Sequence, residues 1–110
     1  MLKQKYQIYI CSTFNDLIDE RKILTNAILN LQHIPSIGEH TFVTNKSPFE
    51  IMKKYIDEAD CMILLIGEKY GSIYNNGISY IEAEYNYALE KNKPILCLIK
   101  DIDAGSGSAI

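Results

Sequence analysis

The run "DCMILLIG", Asp60 to Gly67, restricts the fold more than any other part of the chain. It is almost unbroken in apolar character, ends on glycine and is short for a helix. That combination suits a strand covered on both faces, as parallel strands of an α/β sheet are. Two further runs share the pattern. "YQIYICS", Tyr6 to Ser12, is β-branched and aromatic, and "KPILCLI", Lys93 to Ile99, is introduced by Pro94 where a strand can begin. "HIPSIGE", His33 to Glu39, is a weaker fourth, in which Pro35 and Gly38 point to a sheet edge.

Helical periodicity fills the intervals. From Asp16 to Gln32, Leu17, Leu24, Ile28 and Leu31 recur at helical spacing, with Asp19, Lys22, Asn26 and Asn30 on other sides. "SPFE" opens a second helix: Ser47 caps, Pro48 takes the first turn, Glu50 completes a capping box, and Ile51, Met52, Tyr55, Ile56 and Ala59 form the apolar stripe. A third helix is predicted from about Ser79 to Lys91, with Ile81, Tyr85, Ala88 and Leu89 toward the sheet. Strands separated by helices in this order predict an α/β fold on a doubly wound parallel sheet with right-handed crossovers.

At 110 residues the chain can bury one core and is too short for two. Residues 1–103 read as that domain, and "AGSGSAI", residues 104–110, as a flexible Gly/Ser tail or a cloning remnant. The formal charge of −3 is spread with mixed signs and without a Lys/Arg cluster, which argues against a nucleic-acid partner. Cys11, Cys61 and Cys97 are far apart and each sits in an apolar run, the pattern of small buried hydrophobes in a reducing compartment rather than of disulfides or a zinc site. No segment approaches membrane-spanning length and no cleavage pattern marks a leader, so a cytoplasmic chain without a membrane partner is expected.

Ligands of open α/β sheets sit beyond the carboxyl ends of the strands. That rule selects Ser12, Thr13, Phe14, Asn15 and Asp16 after the first strand, Glu39 and His40 after the second, and "GEKYGSIYNNGIS", Gly67 to Ser79, after the third. This last segment is long for a strand-to-helix connection and carries an "NNG" turn, which suits a binding loop. Tyr70, Gly71, Tyr74, Ser79 and Tyr80 are its candidate ligand contacts. "CSTFND" has two readings: a plain helix N-cap, or a hydroxyl and amide cluster able to hold a phosphate or ribose.

Other chemistries of such sheets lack their residues. Ile66-Gly67 stands where a phosphoacceptor aspartate would be, and Phe14 where a flavodoxin phosphate loop would want glycine. There is no Walker lysine motif and no GxGxxG, and the two histidines have no ligand partner at useful spacing, so no metal is expected.

Glu82 and Glu84 stand one residue apart near the start of the third helix. With Ser79 as N-cap, Glu82 falls at the third helical position and closes a second capping box, "SYIE". Glu84 flanks the apolar face on the other side. Periodicity leaves it either a solvated carboxylate paired with Lys91 or another base, or a group facing the cleft.

The segments "YICSTFNDLIDER", "SPFEIMKKYIDEADCMILLIGEKYGSI" and "GISYIEAEYNYALEKNKPIL" closely resemble the domain-of-unknown-function family DUF4062, over nearly the whole chain up to about Asp101. The resemblance implies a flavodoxin-like three-layer sandwich of the TIR and nucleoside 2-deoxyribosyltransferase group, whose active members cleave N-glycosidic bonds of nucleosides or NAD. The transferases carry a catalytic glutamate ahead of a Lys-Pro strand start, in a pattern resembling E-x-G-x-A-x-A-x-G-K-P. Counted back from Lys93-Pro94, that glutamate falls on Glu84 and the first alanine on Ala88.

The chemistry so implied is stabilisation or capture of a sugar cation by the Glu84 carboxylate, with Tyr70, Tyr74 or Phe14 stacking on a base. NAD or a nucleotide enters as substrate, and no resident cofactor is expected. The resemblance also implies an N-terminal place in bacterial signalling or antiphage proteins, self-association through TIR-like contacts, and an NTPase or repeat region further along the parent. Many TIR-like domains only bind partners. The alternative implied is therefore a non-catalytic interaction module coupled to such a region.

Overall fold

The computed structural model of the chain describes residues 4–13, 15–37, 48–71 and 73–100. Phe14, Glu39, His40, the expected cap Ser47 and the Gly/Ser tail lie outside the described residues. The chain runs β1 (Gln7–Cys11), α1 (Ile18–Asn30), β2 (Ile34–Ile37), α2 (Pro48–Glu58), β3 (Cys61–Ile66), the short β4 (Ile73–Asn75) and β5 (Ile78–Ser79), α3 (Tyr80–Glu90) and β6 (Ile95–Ile99).

The apolar runs are strands of one parallel sheet, in the order β2-β1-β3-β6. β2 lies at an edge, where Pro35 removes no ladder bond that a central strand would need. Side chains alternate across the sheet. Tyr9, Cys11, Met62 and Leu64 take one face and pack with Met52, Ile56 and Ala59 at α2 and Ala88 of α3, while Ile10 and Ile63 take the other and pack on Ile28 of α1. The outcome is a three-layer, doubly wound sandwich. Among the described residues no helix is long and apolar enough to cross a membrane.

Helix ends set where the strands begin. α1 and α3 close alike, with Gln32 (φ 65°) and Asn92 (φ 58°) in the left-handed region. The next residue then bonds back into the helix, His33 N–H to the Ile28 carbonyl and Lys93 N–H to the Ala88 carbonyl, each at 3.0 Å. Lys93 also donates its ammonium to the carbonyls of Asp57 and Ala59, at 3.0 and 2.8 Å. It thereby caps the end of α2, where a cation is favoured.

Three expectations are corrected. Leu31 lies just past the end of α1 and is exposed, and Leu89 is half exposed because Glu84 and Ala88 take the buried side of α3. The cysteines are not uniformly buried: Cys11 is, Cys61 is partly so, and Cys97 is exposed because β6 is the outermost strand of the described sheet. The segment after β3 is not plain loop. Asn76 and Gly77, both at positive φ, turn β4 into β5 as a short antiparallel hairpin, the conformation an Asn-Gly pair favours.

Candidate functional site

The loops at the carboxyl ends of β1 and β3 are tied together by Asp16. Thr13 Oγ1 donates to Asp16 Oδ1, and the Lys69 N–H donates to Asp16 Oδ2 at 3.3 Å. The carboxylate therefore does not cap α1, which starts through a 3-10 turn, Asn15–Leu17, with Leu17 at an N-cap that makes no side-chain bond. Two glycines permit this approach. A Cβ on Gly67 would lie 2.9 Å from Leu17 Cδ2 and 3.1 Å from Asp16 Oδ2, and one on Gly71, at φ 97°, would lie 3.0 Å from Thr13 Cγ2.

Beside this clasp a groove of about 720 Å³ runs between α3 and the β3–β6 part of the sheet. Its floor and walls are mostly apolar, with Leu64, Ile66, Ile95 and Cys97 from the strands and Ile81, Tyr85 and Leu89 from α3. Thr13, Lys69, Tyr70, Ser79, Glu82 and Asn86 add polar groups.

Ser79 opens α3 as expected, its Oγ accepting from the Glu82 N–H at 3.1 Å. The return half of the capping box is relayed. The Ser79 N–H donates to the Tyr70 hydroxyl at 3.1 Å, and that hydroxyl donates to Glu82 Oε1 at 2.7 Å. Tyr70 thus takes the place that a direct Glu82 contact would have, and its ring is held at the mouth of the groove.

Glu84 lies one turn into α3 and is only 4% exposed. It is not paired with Lys91, whose ammonium sits over the Tyr87 ring, 5.4 Å from its centroid. Tyr9, in the middle of β1, donates its hydroxyl to Glu84 Oε1 at 2.7 Å and has Met52 Sδ at 3.0 Å on its other side. The Cys11 thiol donates to the Ile81 carbonyl at 3.8 Å and is close enough to the carboxyl group to favour its charged form. Burial pushes the Glu84 carboxyl up to about 7, against the Tyr9 hydrogen bond and the nearby Cys11 thiol, which favour the charged form. The Tyr9 phenol and Cys11 thiol are raised in turn, first by burial and then by the Glu84 charge. Both stay protonated donors near neutral pH, while Glu84 passes between acid and carboxylate. Such a group can move a proton or oppose a developing positive charge.

Of the candidates read from the sequence, Thr13, Tyr70 and Ser79 line the groove, and Gly71 touches its rim through Thr13 and Ile81. Ser12 adjoins them, its Oγ donating to the Thr13 carbonyl at 3.0 Å, and Tyr80 is the first residue of α3. Tyr74 belongs to β4, and its side chain lies outside the described residues. Glu84 is not part of the groove lining; it sits on the side of α3 that meets β1 and α2. Tyr9 is not among those candidates. The available signal was a phenol on a buried strand position, which needs a polar partner. Among the described residues no group of three His, Cys, Asp or Glu side chains could hold a metal ion.

The family model of the domain of unknown function DUF4062 matches residues 7–108. No curated protein sequence matches the chain. Among solved structures it is similar to a 2-deoxyribosyltransferase from the psychrotolerant bacterium Bacillus psychrosaccharolyticus, described as a biocatalyst for nucleoside synthesis. The TM-score is 0.65 and the identity 19%, over 94% of this chain and 76% of that one. The likeness is one of fold, the flavodoxin-like α/β sandwich.

Proposed function

The chain belongs to the DUF4062 family, and from that premise we propose that it binds a nucleoside or nucleotide beyond the carboxyl ends of β1 and β3 and acts on the N-glycosidic bond through Glu84. The observation that carries this reading is a single carboxylate, buried in the core and held by the Tyr9 hydroxyl at 2.7 Å. A buried acid with a pKa near 7 is costly to keep, and groups perturbed in this way cluster at functional sites. The fold shared with a 2-deoxyribosyltransferase supports the choice of bond.

In the proposed reaction the C–N electron pair leaves with the base as positive charge builds on the sugar; the base of a neutral nucleoside is protonated from water, whereas the cationic nicotinamide of NAD leaves neutral. Ionised Glu84 stabilises that charge or closes on the anomeric carbon, and the resulting ester is opened by water or by an incoming base. Tyr9 keeps the carboxylate in one position throughout. Since the ionised form is the reactive one, kcat/KM should rise with pH through about 7. NAD presents the same class of ribosyl bond, and an effector or sensor role in bacterial signalling or antiphage defence is the setting in which its cleavage would serve.

A second reading has its own support. Glu84 lies outside the groove lining, and a buried carboxylate bonded by the Tyr9 hydroxyl also serves as a structural polar cluster in a module that binds without turnover. Titration with deoxyadenosine, adenosine or NAD, followed by amide resonances and by release of free base, separates the two. Shifts at Thr13, Tyr70, Ser79 and Glu84 with base released support the enzyme. Shifts without release support the binding module, and no shift with any of the three removes the nucleotide reading.

A further inference from the structure

The turn that joins β4 to β5 is Asn76-Gly77, both residues exposed and both at positive φ, 52° and 80°. A Cβ on Gly77 would meet nothing within 4 Å among the described residues, so the space beside this peptide is open. A side-chain amide followed by glycine is within easy reach of the next backbone nitrogen, because glycine has no Cβ to keep the two apart and its backbone is the freest. Asn92 shows what sets the site apart. It too is exposed and left-handed, at φ 58°, but Lys93 follows it, and the Lys93 N–H is held by the Ala88 carbonyl at 3.0 Å.

The chemistry open to such a pair needs only water. The Gly77 nitrogen bonds Asn76 Cγ, the Cγ–Nδ2 bond breaks, and ammonia leaves with the proton that the nitrogen gave up. Water then opens the ring at either carbonyl. One opening restores the backbone with an ordinary aspartate. The other runs the chain through the side chain, as a β-linked aspartate with one extra atom between Asn76 and Gly77.

Tyr70 connects this turn to α3. Its hydroxyl lies 3.4 Å from the Gly77 carbonyl, accepts from the Ser79 N–H at 3.1 Å and donates to Glu82 Oε1 at 2.7 Å. The folded turn fixes the asparagine and the glycine in left-handed geometry, so the ring closes when the hairpin opens. That hairpin is small, since β5 has two residues and the register shifts between Ile73 and Asn75. An extra atom after Asn76 undoes the Asn75–Ile78 register and carries the Gly77 carbonyl and Ser79 N–H away from the phenol. We propose that Asn76-Gly77 is a site of spontaneous modification, in which the Asn76 amide cyclises onto the Gly77 nitrogen and reopens to a β-linked aspartate that releases Tyr70 from the start of α3. The coupling runs both ways, because Tyr70 in turn holds the hairpin closed and slows the reaction. This inference is independent of the role given to Glu84.

The test incubates the full chain for days at mildly alkaline pH. Peptide mapping with electron-transfer fragmentation, which tells a β-linked from an ordinary aspartate, follows each asparagine, and released ammonia is measured alongside. Asn76 should convert first, with the β-linked form among its products, while Asn92 stays intact. Tyr70→Phe should speed the conversion about two- to tenfold, the factor by which loss of one hydrogen bond raises the open population. The converted chain, separated from the parent, should exchange its Ser79 amide faster. Freshly prepared Asn76→Asp, which carries the new charge without the extra atom, should not. Should Tyr70→Phe fail to fold, the Ser79 exchange still decides. Conversion of Asn76 no faster than that of Asn92, an unchanged rate in folded Tyr70→Phe, or a Ser79 amide as slow in the converted chain as in the parent overturns the proposal.

Discussion

At Glu84 the balance of forces has a sign that can be measured. The folded pKa of about 7 exceeds the ordinary 4.5, so the folded chain holds this proton more tightly than the unfolded one. Stability should therefore fall as pH rises from about 4.5 to about 7 and level off above, the total loss from this group being on the order of 3 kcal/mol. Glu84→Gln has no proton to lose. Urea melts from pH 5 to 8 should show the variant gaining on the parent as pH rises, and parallel profiles would mean that Glu84 does not titrate in this window. Tyr9→Phe removes a donor to the carboxylate, so it should push the Glu84 pKa higher still and cost about 1–3 kcal/mol at alkaline pH. Glu84 was legible as a candidate through its spacing to Lys93-Pro94, but its surroundings were not. A helical wheel sorts residues by polarity, and a carboxylate turned to the core defeats that sorting until its donor on β1 is known.

Among the elements, α3 was legible at its start because Ser79 and Glu82 form a local pattern. The Tyr70 relay was not, since its hydroxyl arrives from nine residues upstream through a hairpin that composition alone does not reveal. Ser79→Ala should cost roughly 1 kcal/mol, and Glu82→Gln, which keeps an acceptor for the Tyr70 hydroxyl, much less. Tyr70→Phe should cost about as much as Ser79→Ala, because it leaves the Ser79 N–H and the Glu82 carboxylate without their shared partner. Equal stability of Tyr70→Phe and the parent in urea would show that the relay is not a working cap. The cluster after β1 misled for a related reason: Asp16 suits an N-cap by type, yet it bonds Thr13 and Lys69. Gly67→Ala tests the resulting clasp, since a Cβ 2.9 Å from the buried Leu17 should destabilise by about 1–3 kcal/mol.

For the molecule as a whole, the sheet was readable because its strands are buried on both faces and so appear as continuous apolar runs separated by amphipathic helices. β2 as an edge followed from Pro35. The exposure of Cys97 and Leu89 was not readable, because β6 has the same apolar character as β3 although it lies outermost, and composition cannot distinguish a covered strand from an uncovered one. The catalytic reading likewise concerns the whole structure, since α3 and β1 together hold one carboxylate, against Tyr9 in the middle of β1, and the reading requires a ligand to reach it. The measurement that tests it most directly is release of free base from nucleosides and NAD by Glu84→Gln beside the parent, with Glu82→Gln as control. Turnover should fall by orders of magnitude in Glu84→Gln alone, with its helical signal unchanged. Equal turnover in Glu84→Gln and the parent, or no base released by the parent from any of these substrates, would contradict it.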